Sequence, residues 1–246
     1  MRFFDSFARS VVALFFAIVL VSGASVAGKA AADVDDNPDI YYLPDGGILA
    51  YKLSLEYIDG AFRNCARLVR YQGSATTLTI PEKVDGFWVT GVGENSFEGC
   101  GGLTEVILPE RVNRISDSAF RNCSALTKIT IPDAVSFIGI DAFRGCGSLR
   151  EFTFPSQLRR ISPFTFMNCD RLSTLVFPAN ISLIGAYSFS GCSSLKKLYF
   201  EGNAPIVEYG AFDSCVQLMG VSVVLHVHCH PERDECFQIA NDIPQV

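Results

Sequence analysis

The feature that most constrains this chain is a set of residue positions that recur at one constant interval. Each unit places a cysteine three positions after a phenylalanine, and a leucine three positions after that cysteine. The phenylalanines of the six units are Phe97, Phe120, Phe143, Phe166, Phe189 and Phe212. Several positions locked to one period indicate a repeat protein, in which each unit buries its apolar side chains against its neighbours.

One unit reads Phe-x-x-Cys-x-x-Leu-x-x-apolar-x-apolar-Pro, followed by polar residues and Ile-(Gly/Ser)-x-x-(Ala/Ser)-Phe. The part that follows Leu is typical of the strand half of a leucine-rich repeat. In the first unit, alternation directs Val106 and Leu108 inward and Glu105 and Ile107 outward. Pro109 ends the strand because proline has no backbone N–H to donate. The half from Ile to Phe then returns the chain across the opposite face.

This pattern resembles the BspA-like leucine-rich-repeat family with its 23-residue Treponema-type repeats. The unit closest to the family consensus is Ile138-Gly139-Ile140-Asp141-Ala142-Phe143, with Cys146 and Leu149 at the family spacing. The resemblance covers residues 74–218. It predicts an α/β leucine-rich-repeat solenoid that is strand-rich, with about six to seven coils of that repeat length in a right-handed superhelix. It also implies a noncatalytic role in adhesion to host or neighbouring-cell components.

The two ends of the array depart from the repeat, as the ends of repeat arrays do. The first coil is longer, because Pro81 lies further from Pro109 in sequence than Pro109 lies from Pro132. Upstream, residues 28–73 are predicted to form an N-terminal cap region, in which Phe62, Cys65 and Leu68 copy the repeat spacing. That region is either part of a cap or a decayed coil. Residues 219–246 leave the pattern and are predicted to form a C-terminal cap or tail.

The N-terminus has the features of a targeting segment. Arg2 and Arg9 are followed by an apolar run from Val11 to Val21 and by small residues that end at Ala27. This order is typical of a cleaved signal peptide over residues 1–27, with an uncleaved anchor as the alternative, and the run is short for a membrane span. We therefore predict a secreted protein, extracellular or associated with the cell surface, with no membrane span after signal removal.

Charge and composition narrow the classes of partner. The formal net charge is −6, so the chain has no electrostatic reason to bind nucleic acid or anionic lipid. A protein or a glycan is the expected ligand. The sequence leaves the oligomeric state open.

Nine cysteines in a secreted chain ordinarily suggest disulfides. Six of them, however, occupy one repeat position, where the side chain points inward. Because stacked side chains point in parallel, the dihedral angle of a disulfide is hard to reach between coils. We expect a row of buried free thiols. Outside this row, Cys229 and Cys236 are close enough in sequence to pair, which would leave Cys65 free.

All three histidines lie in one short stretch: His226, His228 and His230. On a strand, alternate residues share a face, so imidazoles at this spacing could bind Zn²⁺ or Cu²⁺. The plainer interpretation is the end of a strand that runs into Pro231 and a polar tail. Both interpretations stay open.

No pattern of catalytic residues occurs in the sequence. It has no glycine-rich phosphate loop, no serine in a nucleophile elbow and no His-Glu-x-x-His motif. A cysteine nucleophile needs a histidine nearby, and the histidines lie only in the C-terminal segment. We predict that the protein is not an enzyme and uses no cofactor.

The outward strand positions are the candidate partner-binding residues, and they form two rows. The first row, in which charges alternate, is Glu105, Lys128, Glu151, Thr174 and Lys197. The second row, with β-branched and aromatic residues, is Ile107, Thr130, Thr153, Val176 and Tyr199. Opposite charges on neighbouring strands attract, so the first row is predicted to satisfy itself. The second row either reflects strand propensity or forms a protein-contact strip.

Four arginines lie between the strands and the Phe turns: Arg111, Arg114, Arg159 and Arg160. They are predicted to be solvated side chains, with a partner contact as the alternative. The predicted function is noncatalytic binding of a protein or glycan through the repeat surface, with adhesion implied by the family resemblance. The alternatives are a structural, envelope-associated protein that self-assembles through its exposed repeat ends, and a metal-binding protein that uses the histidine cluster.

Overall fold

A computed structural model of the protein describes residues 37–218. These residues form strands and turns and contain no helix. In chain order the strands are β1 (Asp39–Tyr42), β2 (Ile48–Ile58), β3 (Ala61–Gln72), β4 (Thr77–Thr79), β5 (Lys83–Val84), β6 (Phe87–Val92), β7 (Glu105–Ile107), β8 (Arg114–Ile115), β9 (Lys128–Thr130), β10 (Phe137–Ile138), β11 (Arg160–Ile161), β12 (Thr174–Phe177), β13 (Leu183–Ile184), β14 (Lys197–Phe200) and β15 (Ile206–Val207). Because helix is absent from residues 37–218, the helical part of the predicted α/β class is not found there.

The segment before the repeats is an antiparallel meander. Strand β2 pairs with β1 on one side and with β3 on the other, and β3 then pairs in parallel with β6. Cys65 and Leu68 are fully buried on β3, whereas Phe62 is 71% exposed. Phe62 therefore does not take the buried position of a repeat Phe, and the choice between a cap and a decayed coil stays open.

A short hairpin explains the extra length of the first coil. Strand β5 pairs antiparallel with β6 through a turn at Asp85 and Gly86, where both residues have positive φ angles (49° and 85°). Two consecutive residues with positive φ are typical of the tightest β-hairpin turns. The hairpin inserts residues that the later coils lack, and β4 and β6 then begin the two strand rows of the array.

The five coils that follow are equal in length, and we number them by their phenylalanines: coil 1 is 97–119, coil 2 is 120–142, coil 3 is 143–165, coil 4 is 166–188 and coil 5 is 189–211. One face carries the Leu-x-x-apolar strands, with parallel pairs β4–β7–β9 and β12–β14. The opposite face carries the short return strands, with parallel pairs β6–β8–β10 and β11–β13–β15. We call these the strand face and the return face. The strand-rich solenoid of about six turns is as predicted, and its right-handed superhelix stays a prediction.

The repeated phenylalanines form the centre of the core. From Phe97 to Phe189 the rings are fully buried, and neighbouring ring centroids lie 4.9–5.4 Å apart in stacked pairs. The backbone N–H of each of these Phe residues donates to the carbonyl of the last residue of its own coil, which lies one turn further along the solenoid. Phe166, for example, donates to the Ser188 carbonyl at 2.7 Å. One residue position thus supplies both the packing and the hydrogen bonding that join successive turns.

The turns around each Phe require left-handed backbone. Two positions after the Phe, glycine and asparagine alternate with φ of 58–77° in Gly99, Asn122, Gly145, Asn168 and Gly191. Two positions before it, Asn95, Ser118 and Asp141 also have positive φ, but coils 3 and 4 place Phe164 and Tyr187 there. Bulky side chains rarely adopt this conformation, so these two positions hold local strain.

Coil 3 interrupts both strand rows. Residues 150–154 pair with neither β9 nor β12, and β10 does not pair with β11. On the Phe side the coils stay bonded, since Asn122 N–H donates to the Arg144 carbonyl (2.7 Å) and Gly145 N–H to the Met167 carbonyl (2.8 Å). The first inward position of coil 3 is Phe152, where the other coils have smaller aliphatic residues, and its ring packs edge-on 4.6 Å from Phe166. The larger ring fills the interior where the strand ladder is missing.

Candidate functional site

The strand face presents the predicted outward rows wherever its strands pair. Glu105 lies opposite Lys128, and Ile107 opposite Thr130, across β7 and β9. In the same way Val176 lies opposite Tyr199 across β12 and β14. The intervening residues point inward; Val106 and Leu175, for example, are fully buried. The predicted alternation of inward and outward residues is confirmed.

Glu151 and Thr153 require a correction. Both are exposed as predicted, but they lie in residues 150–154, which form no strand. The outward rows therefore form two patches, one on β7 and β9 and the other on β12 and β14, separated by coil 3. Sequence alternation predicted which side chains face solvent and could not show that the backbone ladder breaks.

Opposite charges of the first row form an ion pair only in the first patch. Lys128 Nζ lies 2.9 Å from Glu105 Oε1, and the hydrogen bond to Glu105 followed by its charge raises the pKa of Lys128, with a smaller effect of Glu151. In the second patch Lys197 lies opposite Thr174, which carries no charge. Within residues 37–218, Lys197 forms no ion pair. The predicted self-satisfied row is thus confirmed for coils 1 and 2 and does not extend to Lys197 of coil 5.

The second row combines three apolar residues with two threonines and is partly accessible. Val176 is 45% exposed, Ile107 and Tyr199 are half-buried, and Thr130 and Thr153 are exposed. The strand backbone fixes the directions of the side chains on β7, β9, β12 and β14, so a partner that contacts them meets a surface already ordered. This row is the candidate protein-contact strip.

The repeat cysteines have a structural role, because their side chains connect neighbouring coils. All six repeat cysteines are free thiols, and those of coils 2 to 5 are fully buried. From Cys123 onward, each thiol donates to the carbonyl of the Phe one coil before, as Cys146 does to Phe120 and Cys169 to Phe143 at 3.1–3.2 Å. Burial raises the pKa of Cys123 to about 12 and holds that of Cys169 well above 9.0. Since the thiolate is the reactive form, these thiols are poor nucleophiles and poor metal ligands.

The histidine cluster and the Cys229–Cys236 pair lie outside the described residues. Within residues 37–218, no group of three His, Cys, Asp or Glu side chains could hold a metal ion. Cys65 is a free, buried thiol on β3.

Two of the four predicted arginines make internal contacts on the return face. The Arg114 guanidinium lies over the Phe137 ring at 3.9 Å, and these two residues are register partners on β8 and β10. Arg111 lies 4.5 Å from the centre of the Trp88 ring and forms an ion pair with Asp59 at 3.1 Å. Both guanidinium groups therefore already contact aromatic rings of the same chain, and that of Arg111 also contacts a carboxylate.

Sequence reasoning missed an exposed apolar surface on the meander, which we call the hairpin patch. It consists of Leu53, Leu55 and Tyr57 on β2 and Phe62 on β3, with exposures of 39–71%. The rings of Tyr57 and Phe62 meet edge-on at 5.2 Å. On the same strand, Glu56 accepts a hydrogen bond from Thr90, so alternate residues of β2 face the first coil. The alternation Leu-x-Leu-x-Tyr in residues 53–57 was the signal that could have found this surface.

The described part of the chain contains no helix long and apolar enough to cross a membrane.

Comparison with solved structures finds the same fold in bacterial proteins. A leucine rich repeat protein of T. pallidum is 25% identical with a TM-score of 0.59, over 76% of this chain and 90% of that protein. One from Bacteroides ovatus is 26% identical with a TM-score of 0.56, over 70% of this chain. A leucine rich cell surface protein of Faecalibacterium prausnitzii is 23% identical with a TM-score of 0.58, over 77% of this chain. The match spans 51% and 56% of the length of the last two proteins.

A search of curated proteins finds no match. The family model for the BspA type leucine rich repeat region matches residues 90–219 in six copies, which is more than half of the chain. These copies include all the Phe-x-x-Cys-x-x-Leu units of coils 1 to 5. The chain therefore belongs to the BspA type leucine-rich-repeat family.

Proposed function

We propose that this protein is a secreted or cell-surface, noncatalytic binding protein that contacts a protein partner through its strand face. The observation that carries this proposal is the accessible apolar pair on the strand face, in which Val176, 45% exposed, and Tyr199, half-buried, lie in register on β12 and β14. Exposed β-branched and aromatic side chains on rigid backbone are suited to protein contact, because little conformational freedom is lost on binding. Repeats of this family typically mediate interactions between proteins, and the targeting features of residues 1–27 support an extracellular location.

The test is binding of the full-length chain to an immobilised panel of extracellular-matrix proteins and surface glycoproteins. One variant carries Ile107→Glu, Val176→Glu and Tyr199→Glu. We expect saturable binding by the native chain and loss of binding by this variant, because each substitution places a charge where an apolar contact is needed.

The matched control is Ile140→Glu, compared with Val176→Glu alone, because Ile140 is 43% exposed, close to the 45% of Val176, but lies in a turn away from the strand face. This variant should bind as the native chain does. Absence of saturable binding to every panel member would contradict the adhesive function. Equal loss in the control would contradict the strand face as its location.

Self-assembly is a second candidate function, and the hairpin patch favours it. Tyr57 and Phe62 expose 67% and 71% of their surface and belong to a contiguous apolar patch, and patches of this kind mark contact sites. Sedimentation velocity at rising concentration tests this candidate. A monomer at all concentrations would refute it, and association that Leu55→Glu abolishes would support it.

A further inference from the structure

A polar cleft of about 470 Å³ lies beside the strand face, from coil 3 to the unit that begins at Phe212. Six residues line it: Arg150, Arg171, Ser173, Ser194, Lys196 and Gln217. They occupy two repeat positions, immediately before and immediately after the repeated Leu of each coil. The periodicity of the solenoid therefore brings side chains that are distant in sequence into one site.

Backbone hydrogen bonds hold the two sides of the cleft in register. Ser194 N–H donates to the Asp170 carbonyl at 3.1 Å, and Lys196 N–H donates to the Ser173 carbonyl at 2.9 Å. These bonds join coil 5 to coil 4 immediately beside the lining side chains. Arg150 contributes from coil 3, at the start of the segment where the strand ladder is interrupted.

Three of the six lining residues are cations, and none of the six is acidic. Within residues 37–218, Arg150, Arg171 and Lys196 form no ion pair, whereas Lys128 and Arg144 each do. Asp170, the residue before Arg171, forms no ion pair with any of these three cations. Its carboxylate lies toward Gly147 of coil 3. Three like charges around one cleft repel each other in a chain that is acidic as a whole, and a bound anion would relieve that repulsion.

The remaining lining groups are the hydroxyls of Ser173 and Ser194 and the amide of Gln217. Guanidinium groups bind sulfate and carboxylate in paired hydrogen bonds, and hydroxyl and amide groups suit the hydroxyls of a sugar. The cleft has no large apolar or aromatic lining residue of the kind that anchors a peptide side chain. We propose that this cleft binds an anionic polysaccharide that carries sulfate or carboxylate groups. The site is separate from the protein-contact strip and does not rest on the proposed protein-binding function.

The experiment measures binding of the full-length chain to a heparin octasaccharide by isothermal titration calorimetry at several salt concentrations. The cleft variant carries Arg150→Gln, Arg171→Gln and Lys196→Gln. The control variant carries Arg70→Gln, Arg159→Gln and Arg160→Gln, which removes the same charge from exposed positions elsewhere. Urea unfolding of each variant verifies that it is folded.

We expect the cleft variant to lose affinity by about tenfold or more, with a weaker salt dependence, and the control to change by less than about threefold. Desulfated heparin and poly-glutamate separate the contributions of sulfate, sugar and simple charge. Absence of binding by the native chain, equal loss in both variants, or equal affinity for poly-glutamate would each overturn the proposal. A strip variant that adds no charge, Ile107→Ser, Val176→Ser and Tyr199→Ser, should bind the octasaccharide normally, so failure of the cleft proposal and failure of the protein-binding proposal give different results.

Discussion

The buried thiol row should make the fold sensitive to alkaline pH. Burial raises the pKa of Cys123 from 9.0 to about 12 and raises those of Cys146, Cys169 and Cys192 as well. In the unfolded chain the pKa values of these thiols return to about 9, so the thiols ionise there, whereas in the folded chain they stay protonated. The pKa values are therefore higher in the folded state, and the stability they reflect is intact below pH 9 and is lost as pH rises above it.

The magnitude follows from the number of thiols. Each thiol that ionises only in the unfolded chain lowers the free energy of unfolding by about 1.4 kcal/mol per pH unit. The four fully buried thiols together should lower it by about 5 kcal/mol per unit above pH 9. Since a typical domain has about 5–15 kcal/mol in total, the protein should unfold within about one to three pH units above that point.

Urea unfolding followed by circular dichroism between pH 8 and 10.5, with reductant present, measures this slope. Cys169→Ala should flatten it by about 1.4 kcal/mol per pH unit, because one linked proton is removed. Leu149→Ala is the control: it should lower stability by about 2–5 kcal/mol at every pH without changing the slope, because leucine does not titrate. A stability that does not depend on pH up to 10.5, or an unchanged slope in Cys169→Ala, would refute the linkage.

Three further outcomes are expected. Phe166→Ala should cost about 3–5 kcal/mol in urea unfolding, and the half-buried Phe212→Ala clearly less, because Phe166 stacks on rings in both neighbouring coils. Equal costs would refute the central role of the stack. Gly185→Ala should lower the melting temperature and Gly102→Ala should not, because a Cβ at Gly185 would lie 2.7 Å from the Ile161 carbonyl oxygen and one at Gly102 meets no atom within 4 Å. Native iodoacetamide labelling at pH 8 should leave Cys123, Cys146, Cys169 and Cys192 unmodified by peptide mass spectrometry, and rapid labelling would contradict their burial.

Much of the fold could be predicted from the sequence, because the solenoid repeats one solution to the burial of apolar side chains. The position of Phe143 in its unit predicts its burial, and the same unit predicts the inward thiol of Cys146. The outward direction of Val176 follows from strand alternation. These features depend only on local period, which a single sequence displays directly.

Other features depend on volume and on contacts between segments, which the period does not encode. Phe152 fits the apolar pattern as well as a leucine would, so the pattern could not predict that the strand ladder breaks at coil 3. The hairpin patch arises from pairing of β2 with β3, for which the chain has no repeat. The cleft was also missed, because Arg150, Arg171 and Lys196 converge only when two different repeat positions from three coils are placed together.

The central claim is that the strand face contacts the partner. Hydrogen–deuterium exchange of the protein, alone and saturated with the panel protein that it binds, tests this most directly. We predict that binding slows exchange in β12 and β14, at residues 174–177 and 197–200, and leaves the return strands β13 and β15 unchanged. Protection of the return strands with no change in β12 and β14 would contradict the claim.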